Sequence, residues 1–353
     1  MLSAAQISVR GKWVNVPAIE VSGKTILVTG RLLSVAAVQG EEWLEAELED
    51  PESCIRLLKA ERQNGLKADL FTFRQKAPDL KPRYGYFMER ESIAVAHIPS
   101  FKEWWDRLPQ ETRKNVRRSK KRDVIIQTAL YDDELVKGIH SINNDSPVRQ
   151  GRHFTHYGKS LDEVRKDHSS FLDRSDFLGA YIGKELAGFL KIVYRGEIAS
   201  VMQLLIRSTH YDKRPANALI AKAVELCEEK GIRYLTYGKF HYGNKRSSSI
   251  TEFKVRHGFE ELLIPRYYVP LTHWGAFCLS RGLYRGLLGV LPSGFIDAGL
   301  KARKSWYDAI KLISRCSSMA EQPNSDRLTE RSIPPAGSKI ISADASKVVR
   351  SSE

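Results

Sequence analysis

Four consecutive residues, Asp212, Lys213, Arg214 and Pro215, have the chemistry of an anion site. They follow an apolar run at 199–206 and open a helical pattern in which Leu219, Ile220, Ala223, Leu226 and Cys227 share one face. Pro215 suits the first helical turn, where its missing N–H has no partner to lose, and Gly231 suits the left-handed position past the end. The free N–H groups of that turn then point where Lys213 and Arg214 add positive charge. A phosphate or pyrophosphate fits such donors, while a plain solvated basic turn is the bland alternative.

Two further clusters could do chemistry. Tyr237, Lys239 and His241 lie at and just beyond the strand pattern 234–238, and ligands of open α/β sheets bind beyond the carboxyl ends of strands. Upstream, Arg149, Arg152, His153, His156 and Tyr157 crowd a segment punctuated by Pro147, Gly151 and Gly158. Donors packed this closely grip a carboxylate or phosphate. A histidine can also take a proton from an ammonium nucleophile near neutral pH. The alternative is an ordinary exposed loop. His153 and His156 do not have the four-residue spacing of a helical metal pair, so no metal is expected.

The elements that must position these residues read in order. Gly183, Lys184 and Glu185 separate two short apolar runs, a hairpin signal, and a third run at 199–206 leads into the basic turn. Before them the chain is β-rich. Strands are predicted at 14–21, 25–34, 45–48, 68–73 and 93–96, with a short helix at 53–60.

This order, followed by Phe253, Lys254, Gly258 and Phe259, resembles the GNAT acyltransferase superfamily. Phe253-Lys254 ahead of Gly258-Phe259 resembles its Fem-like branch, the peptidoglycan aminoacyl-transferases and their relatives. The basic stretch 108–121 is similar to the helix joining the two halves of Fem-like proteins. The likeness covers residues 101–271. It implies an α/β (α+β) fold, a GNAT-like mixed sheet flanked by helices. It further implies a degenerate GNAT-like or β-rich half at 1–130 and a GNAT-like acyltransferase half at 131–271. A C-terminal helical segment at 272–315 and a disordered, Ser- and Pro-rich tail at 316–353 would follow.

The resemblance also implies roles. The strand backbone at Gln203, Leu204 and Leu205 would polarise the acyl carbonyl. Lys213, Arg214, Ala216 and Asn217 would hold the pyrophosphate of acyl-CoA. Arg214 and Ala216 stand where GNAT loops carry small residues, usually glycine. Lys254 stands where many GNAT enzymes have the tyrosine that protonates the departing thiolate, and Fem-like proteins place a lysine there. Lys254, Tyr237 and His241 are the catalytic candidates. Arg149, Arg152, His153, His156, Tyr157 and Lys239 are the candidates for substrate binding. In a short helix, Phe253 would pack inward and Lys254 would reach the cleft. The implied activity is N-acyl transfer from acyl-CoA to an amine of a small-molecule, sugar or amino-acid substrate. A Fem-like transferase using aminoacyl-tRNA, or a binding protein that kept the fold without catalysis, are the alternatives.

Composition sets the remaining bounds. A net charge of +14 points to an anionic or phosphorylated partner. The basic run 113–122 has no zinc-finger spacing or RNA-recognition signature, which disfavours nucleic acid other than tRNA. Four scattered cysteines, Cys54, Cys227, Cys278 and Cys316, read as reduced thiols of a cytoplasmic protein. The first ten residues lack a signal-peptide pattern, and no segment is long and apolar enough to span a bilayer. Residues 274–307 mix Trp274, Trp306 and Tyr307 with cations and Gly breaks. That pattern fits peripheral contact at the inner membrane surface, or a helical pair covering the core or a dimer face.

Overall fold

In the computed structural model, residues 2–9, 11–43, 47–76, 80–149, 152–242 and 248–285 are described. Apolar alternation builds the first strands: β1 (Leu2–Val9), β2 (Lys12–Val21), β3 (Lys24–Thr29) and β4 (Val35–Val38). Helix α1 (Pro51–Glu61) starts at Asp50, whose carboxylate accepts the Ser53 N–H, with Pro51 in the first turn. β5 (Leu70–Arg74) and β6 (Phe87–His97) follow. The chain then runs through α2 (Phe101–Arg107), α3 (Gln110–Lys121), β7 (Val124–Ala129) and α4 (Asp133–Asn143). The two-residue strands β8 (Val148–Arg149) and β9 (Arg152–His153) pair with each other.

Helix α5 (Leu161–His168) opens on a reciprocal capping box between Ser160 and Glu163. The predicted three-strand run appears as β10 (Ser175–Ile182), β11 (Glu185–Arg195) and β12 (Ile198–Ile206). Then come α6 (Pro215–Glu229), β13 (Tyr234–Lys239), α7 (Ser249–Arg256), β14 (Glu260–Pro270) and α8 (His273–Ser280).

Twelve strands form one mixed sheet in the order β1-β2-β3-β4-β5-β14-β6-β13-β12-β11-β10-β7. Each half contains one parallel pair, β4 with β5 and β12 with β13, among otherwise antiparallel neighbours. β14, late in the chain, inserts between β5 and β6 and joins the halves into one sheet. The fold is thus a GNAT-like mixed sheet flanked by helices, in two halves. Helix α1 packs its Cys54, Ile55 and Leu58 on Phe71, Phe73 and Tyr267 in the first half. Helix α6 buries Leu219, Ile220, Ala223 and Cys227 against the second half, with Trp104 of α2 in the same core. Helix α4 packs with Val164 on Phe177 and Phe189.

Several expectations shift. The strand expected over 25–34 ends at Thr29, and Val35–Val38 forms a separate strand. Residues 45 and 46 of the strand expected at 45–48 lie outside the described residues, and Glu47 and Leu48 are not in a strand. Among Cys54, Cys227 and Cys278, each is a buried free thiol. Residues 286–315 of the expected C-terminal segment, and the whole tail, lie outside the described residues.

Candidate functional site

The parallel ladder of β12 and β13 contains only three pairs: Ile198 with Tyr234, Ala199 with Leu235, and Ser200 with Thr236. Beyond them the ladder stops, although β12 runs on to Ile206. Met202 is an extra residue on β12, because Gln203 pairs with Lys191 while Val201 pairs with Ile192. Such a bulge bends and twists its strand. The edge of β12 at Gln203, Leu204 and Leu205 therefore makes no ladder pair with β13, and all three side chains are half-buried.

Consecutive residues of β13 point to opposite faces of this opening. Thr236 faces one side, where its hydroxyl and that of Ser200 share a hydrogen bond at 2.7 Å. Tyr237 faces the helices on the other side, where its ring packs on Phe259. Burial raises the Tyr237 phenol far above its ordinary value, so it stays protonated at neutral pH.

Lys254 is on the helix side. The first-turn cap of α7, Ser248 accepting the Thr251 N–H, fixes the helix, and its ammonium lies between the Tyr237 and Tyr242 rings at 4.6 and 4.7 Å. It donates to the Lys239 carbonyl at 2.6 Å and is fully buried. Burial pushes it down to about 8. Phe253 packs on the core of the second half as expected, whereas Lys254 is enclosed rather than open to a cleft. Gly238 makes the enclosure possible, since it has φ +54 and a Cβ there would stand 2.9 Å from the Tyr242 hydroxyl.

The basic turn forms as a short 3-10 segment, Ser208–Lys213, ahead of α6. Arg214 caps α6 with φ 61 and ψ 35, a left-handed conformation unusual for a residue that carries a Cβ. Lys213 is half-buried and Arg214 exposed. Ala216 and Asn217 occupy the first turn. The Asn217 amide nitrogen is 3.0 Å from His257 Nε2, and His257 Nδ1 is 2.6 Å from the Phe253 carbonyl. Those partners fit a neutral ring with its proton on Nδ1, and burial pushes His257 down to about 4 although the bond to the Phe253 carbonyl raises it. Arg122, at the end of α3, donates to the Asp212 carbonyl and pairs with its carboxylate.

On the opposite face a charged cleft of about 930 Å³ runs across both halves. Arg266 is at its centre. It donates to Glu91 at 2.9 Å, to Glu41 at 3.0 Å and to Thr72 at 3.3 Å. Lys239 stands 3.5 Å from Glu91, and His241, also lining the cleft, stands 3.6 Å from Glu261. Burial raises the Glu41 carboxyl despite Arg266 and Arg74. Burial opposes Glu91 as well, but Arg266, Arg74 and Lys239 outweigh it and hold that carboxyl below its ordinary value. A recess of about 40 Å³ adjoins the cleft, lined by Arg74, Arg195, Ser200, Thr236, Gly238 and Lys239, with Glu42 and Glu91.

The predicted substrate loop is elsewhere. Arg149 donates to the Ile206 and Ile142 carbonyls at 2.8 and 2.6 Å, which ties the end of α4 to the end of β12. His156 and Lys159 both pair with Asp167. His153 and Tyr157 are exposed, and Arg152 is described only through its strand pairing. None of these residues lines the cleft or the recess, whereas Lys239 lines both and His241 lines the cleft. The sequence reading missed Arg74, Glu41, Glu91, Arg266, Ser200 and Thr236. Their signal was alternation: Thr72 and Arg74 interleave with Phe71 and Phe73, as Arg266 and Tyr268 do with Tyr267 and Val269. Among the described residues no group of three or more His, Cys, Asp or Glu side chains could hold a metal ion.

Solved structures share this architecture. The C-terminal domain of a candidate lysylphosphatidylglycerol synthetase from Agrobacterium fabrum superposes with a TM-score of 0.50 at 11% identity, covering 75% of this chain and 88% of that one. FemX superposes with a TM-score of 0.50 at 10% identity, covering 81% and 90%. No family model matches the chain, and no curated protein matches it in sequence. The chain thus shares a GNAT-like fold with FemX and with the lysylphosphatidylglycerol synthetase domain.

Proposed function

We propose that this protein is an N-acyltransferase that moves an acyl group from a nucleotide-linked carrier to an amine. The observation that carries this reading is the opening between β12 and β13, with the protonated Tyr237 on one side and the charged cleft on the other. An acyl carrier would lie on the helix side, its phosphates at Lys213, Arg214 and the first turn of α6. The carbonyl would meet the unpaired edge of β12, where a backbone N–H stabilises developing negative charge. The amine would approach from the cleft, lose its proton to water in the open cleft, and form the new C–N bond as the carrier's C–S or C–O bond breaks. The Tyr237 phenol can return a proton to the leaving group. Lys254 fixes the Tyr237 ring and the Lys239 carbonyl.

Acyl-CoA is the donor that the helix-terminus site fits directly. Aminoacyl-tRNA is the second reading, supported by the cationic helix α3 joined to the basic turn through Arg122 and Asp212. A transfer assay with labelled acetyl-CoA and labelled aminoacyl-tRNA, each against a panel of amines, tests both. Transfer from neither would refute the enzyme reading and leave a binding protein.

The exposed ring pair Trp274 and Phe277, with the Arg281 guanidinium over Phe277, supports peripheral membrane contact through α8. Among the described residues no helix is long and apolar enough to cross a membrane.

A further inference from the structure

Arg74 lines both the cleft and the recess, and its side chain is only 9% exposed. Its Nε is buried with no hydrogen-bond partner. The nearest carboxylates are ion-pair contacts beyond hydrogen-bond reach: 4.0 Å from Nε to Glu41 and 3.8 Å from Nη1 to Glu91. Both carboxylates are already engaged. Arg266 donates to each, and Glu41 also accepts the backbone N–H of Arg74 at 2.5 Å. Three cations, Arg74, Arg266 and Lys239, thus meet two carboxylates, Glu41 and Glu91. On the recess wall Arg195 adds a cation, pushed down to about 10 by burial and the nearby Arg74, and Glu42 adds a carboxylate that opposes that shift, so four cations face three carboxylates. A buried guanidinium this poorly bonded, in a site with surplus positive charge, lacks an anion.

The recess indicates its shape. Its volume of about 40 Å³ admits a group of a few atoms, not a nucleotide or a phosphosugar. A guanidinium fork matches a planar carboxylate at two points, and the Ser200 and Thr236 hydroxyls line the same space.

We infer that Arg74, Arg195 and the Ser200–Thr236 pair bind a carboxylate carried by the amine acceptor. Thr236 is the last residue of β13 paired with β12, so an amine a few bonds from that carboxylate reaches the opening where the carbonyl would lie. The acceptor class is therefore an amino acid or a compound with an amino-acid-like end. The word "acceptor" rests on the transferase reading, but carboxylate binding does not.

Titration calorimetry on the full chain with acetate, malonate, inorganic phosphate and ethylammonium tests this directly. The parent should bind acetate and malonate saturably and ethylammonium not at all. Arg74→Met should weaken malonate binding by roughly tenfold or more, and so should Arg74→Lys, which keeps the charge but loses the fork. If Arg74→Met does not fold, Thr236→Val carries the same test from the opposite wall, with an expected loss of roughly threefold or more. No saturable carboxylate binding by the parent, phosphate binding tighter than malonate, or parent-like binding by Arg74→Lys would overturn the assignment. Carboxylate binding without transfer from any donor would instead remove the transferase reading and leave the site. Transfer to carboxylate-free amines, undiminished in Arg74→Met, would do the reverse.

Discussion

The Ser200 and Thr236 hydroxyls, 2.7 Å apart and buried, close the last pair of the β12–β13 ladder before the strands part. The two hydroxyls satisfy each other on the recess wall, and Thr236 also donates to the Ala199 carbonyl at 3.3 Å. Removing Thr236 leaves the Ser200 hydroxyl without its partner, and removing Ser200 leaves Thr236 only the Ala199 carbonyl; such losses cost about 1–3 kcal/mol, while removing both hydroxyls can be nearly neutral. Ser200→Ala and Thr236→Val should each destabilise by about that amount, and the double variant by clearly less than their sum. Urea denaturation of the four proteins in the cycle measures this, and additive losses would show that the pair is not coupled.

Arg214 holds a left-handed backbone at the cap of α6, where glycine would be unstrained. Arg214→Gly should stabilise the fold by about 1 kcal/mol. It should also weaken acyl-CoA binding if the guanidinium contacts phosphate, each charge-assisted contact contributing about 1.5–3 kcal/mol. Thermal denaturation and calorimetry read the two effects separately. Unchanged affinity in the Lys213→Ala, Arg214→Ala double variant would remove the donor site from this turn.

Stability should fall on mild acidification. His168 and His257 are held neutral by burial, His168 also by the Lys191 charge, and both are pushed down to about 4 from 6.5. Between those values the unfolded chain binds protons that the folded chain refuses. Stability is therefore full above pH 6.5 and declines toward pH 4, by up to about 3 kcal/mol for each residue. On the basic side, Lys191 and Lys254, pushed down to about 8 by burial, should add stability as pH rises from 8 toward 10.5. Denaturation curves at stepped pH check both arms. A flat profile from pH 7 to 4 would contradict the buried neutral histidines.

Lys254→Met keeps the bulk between the two tyrosine rings and removes the donor to the Lys239 carbonyl. Turnover should fall roughly tenfold or more, about 1.4 kcal/mol of transition-state stabilisation, with the donor KM little changed. Kinetic constants like the parent's would make the lysine a bystander.

Trp274 and Phe277 are nearly half exposed, and Leu32 is 88% exposed beside them, its carbonyl accepting the Trp274 indole N–H. If this patch meets a bilayer, the protein should cosediment with anionic vesicles at low salt, and Trp274→Ala with Phe277→Ala should largely abolish it. No cosedimentation at low salt would leave the patch unassigned.

The second half was readable because its signals were local. The hairpin glycine, Pro215 ahead of the α6 apolar face, and Gly231 after it each act within a few residues, and the elements formed where those signals fell. The cleft was not readable, because β14 must travel past the whole second half before Arg266 meets Glu41 and Glu91. No spacing within a single strand reports that pairing. The loop around Arg149 lies away from the cleft and the recess, for a reason equally hidden in the sequence. Its cluster of donors is dense in sequence, but Arg149 is bound to backbone carbonyls and Lys159 to Asp167. Lys254 was singled out correctly as unusual, but its direction depended on how Tyr237 and Tyr242 close around it.

The most direct test of the central claim is a crystal structure of the protein with acetyl-CoA. The thioester carbonyl is expected at the β12 edge beyond Ser200, the sulfur near Tyr237, and the pyrophosphate at Lys213, Arg214 and the first turn of α6. A carrier bound elsewhere, with the space between β12 and β13 empty, would contradict it.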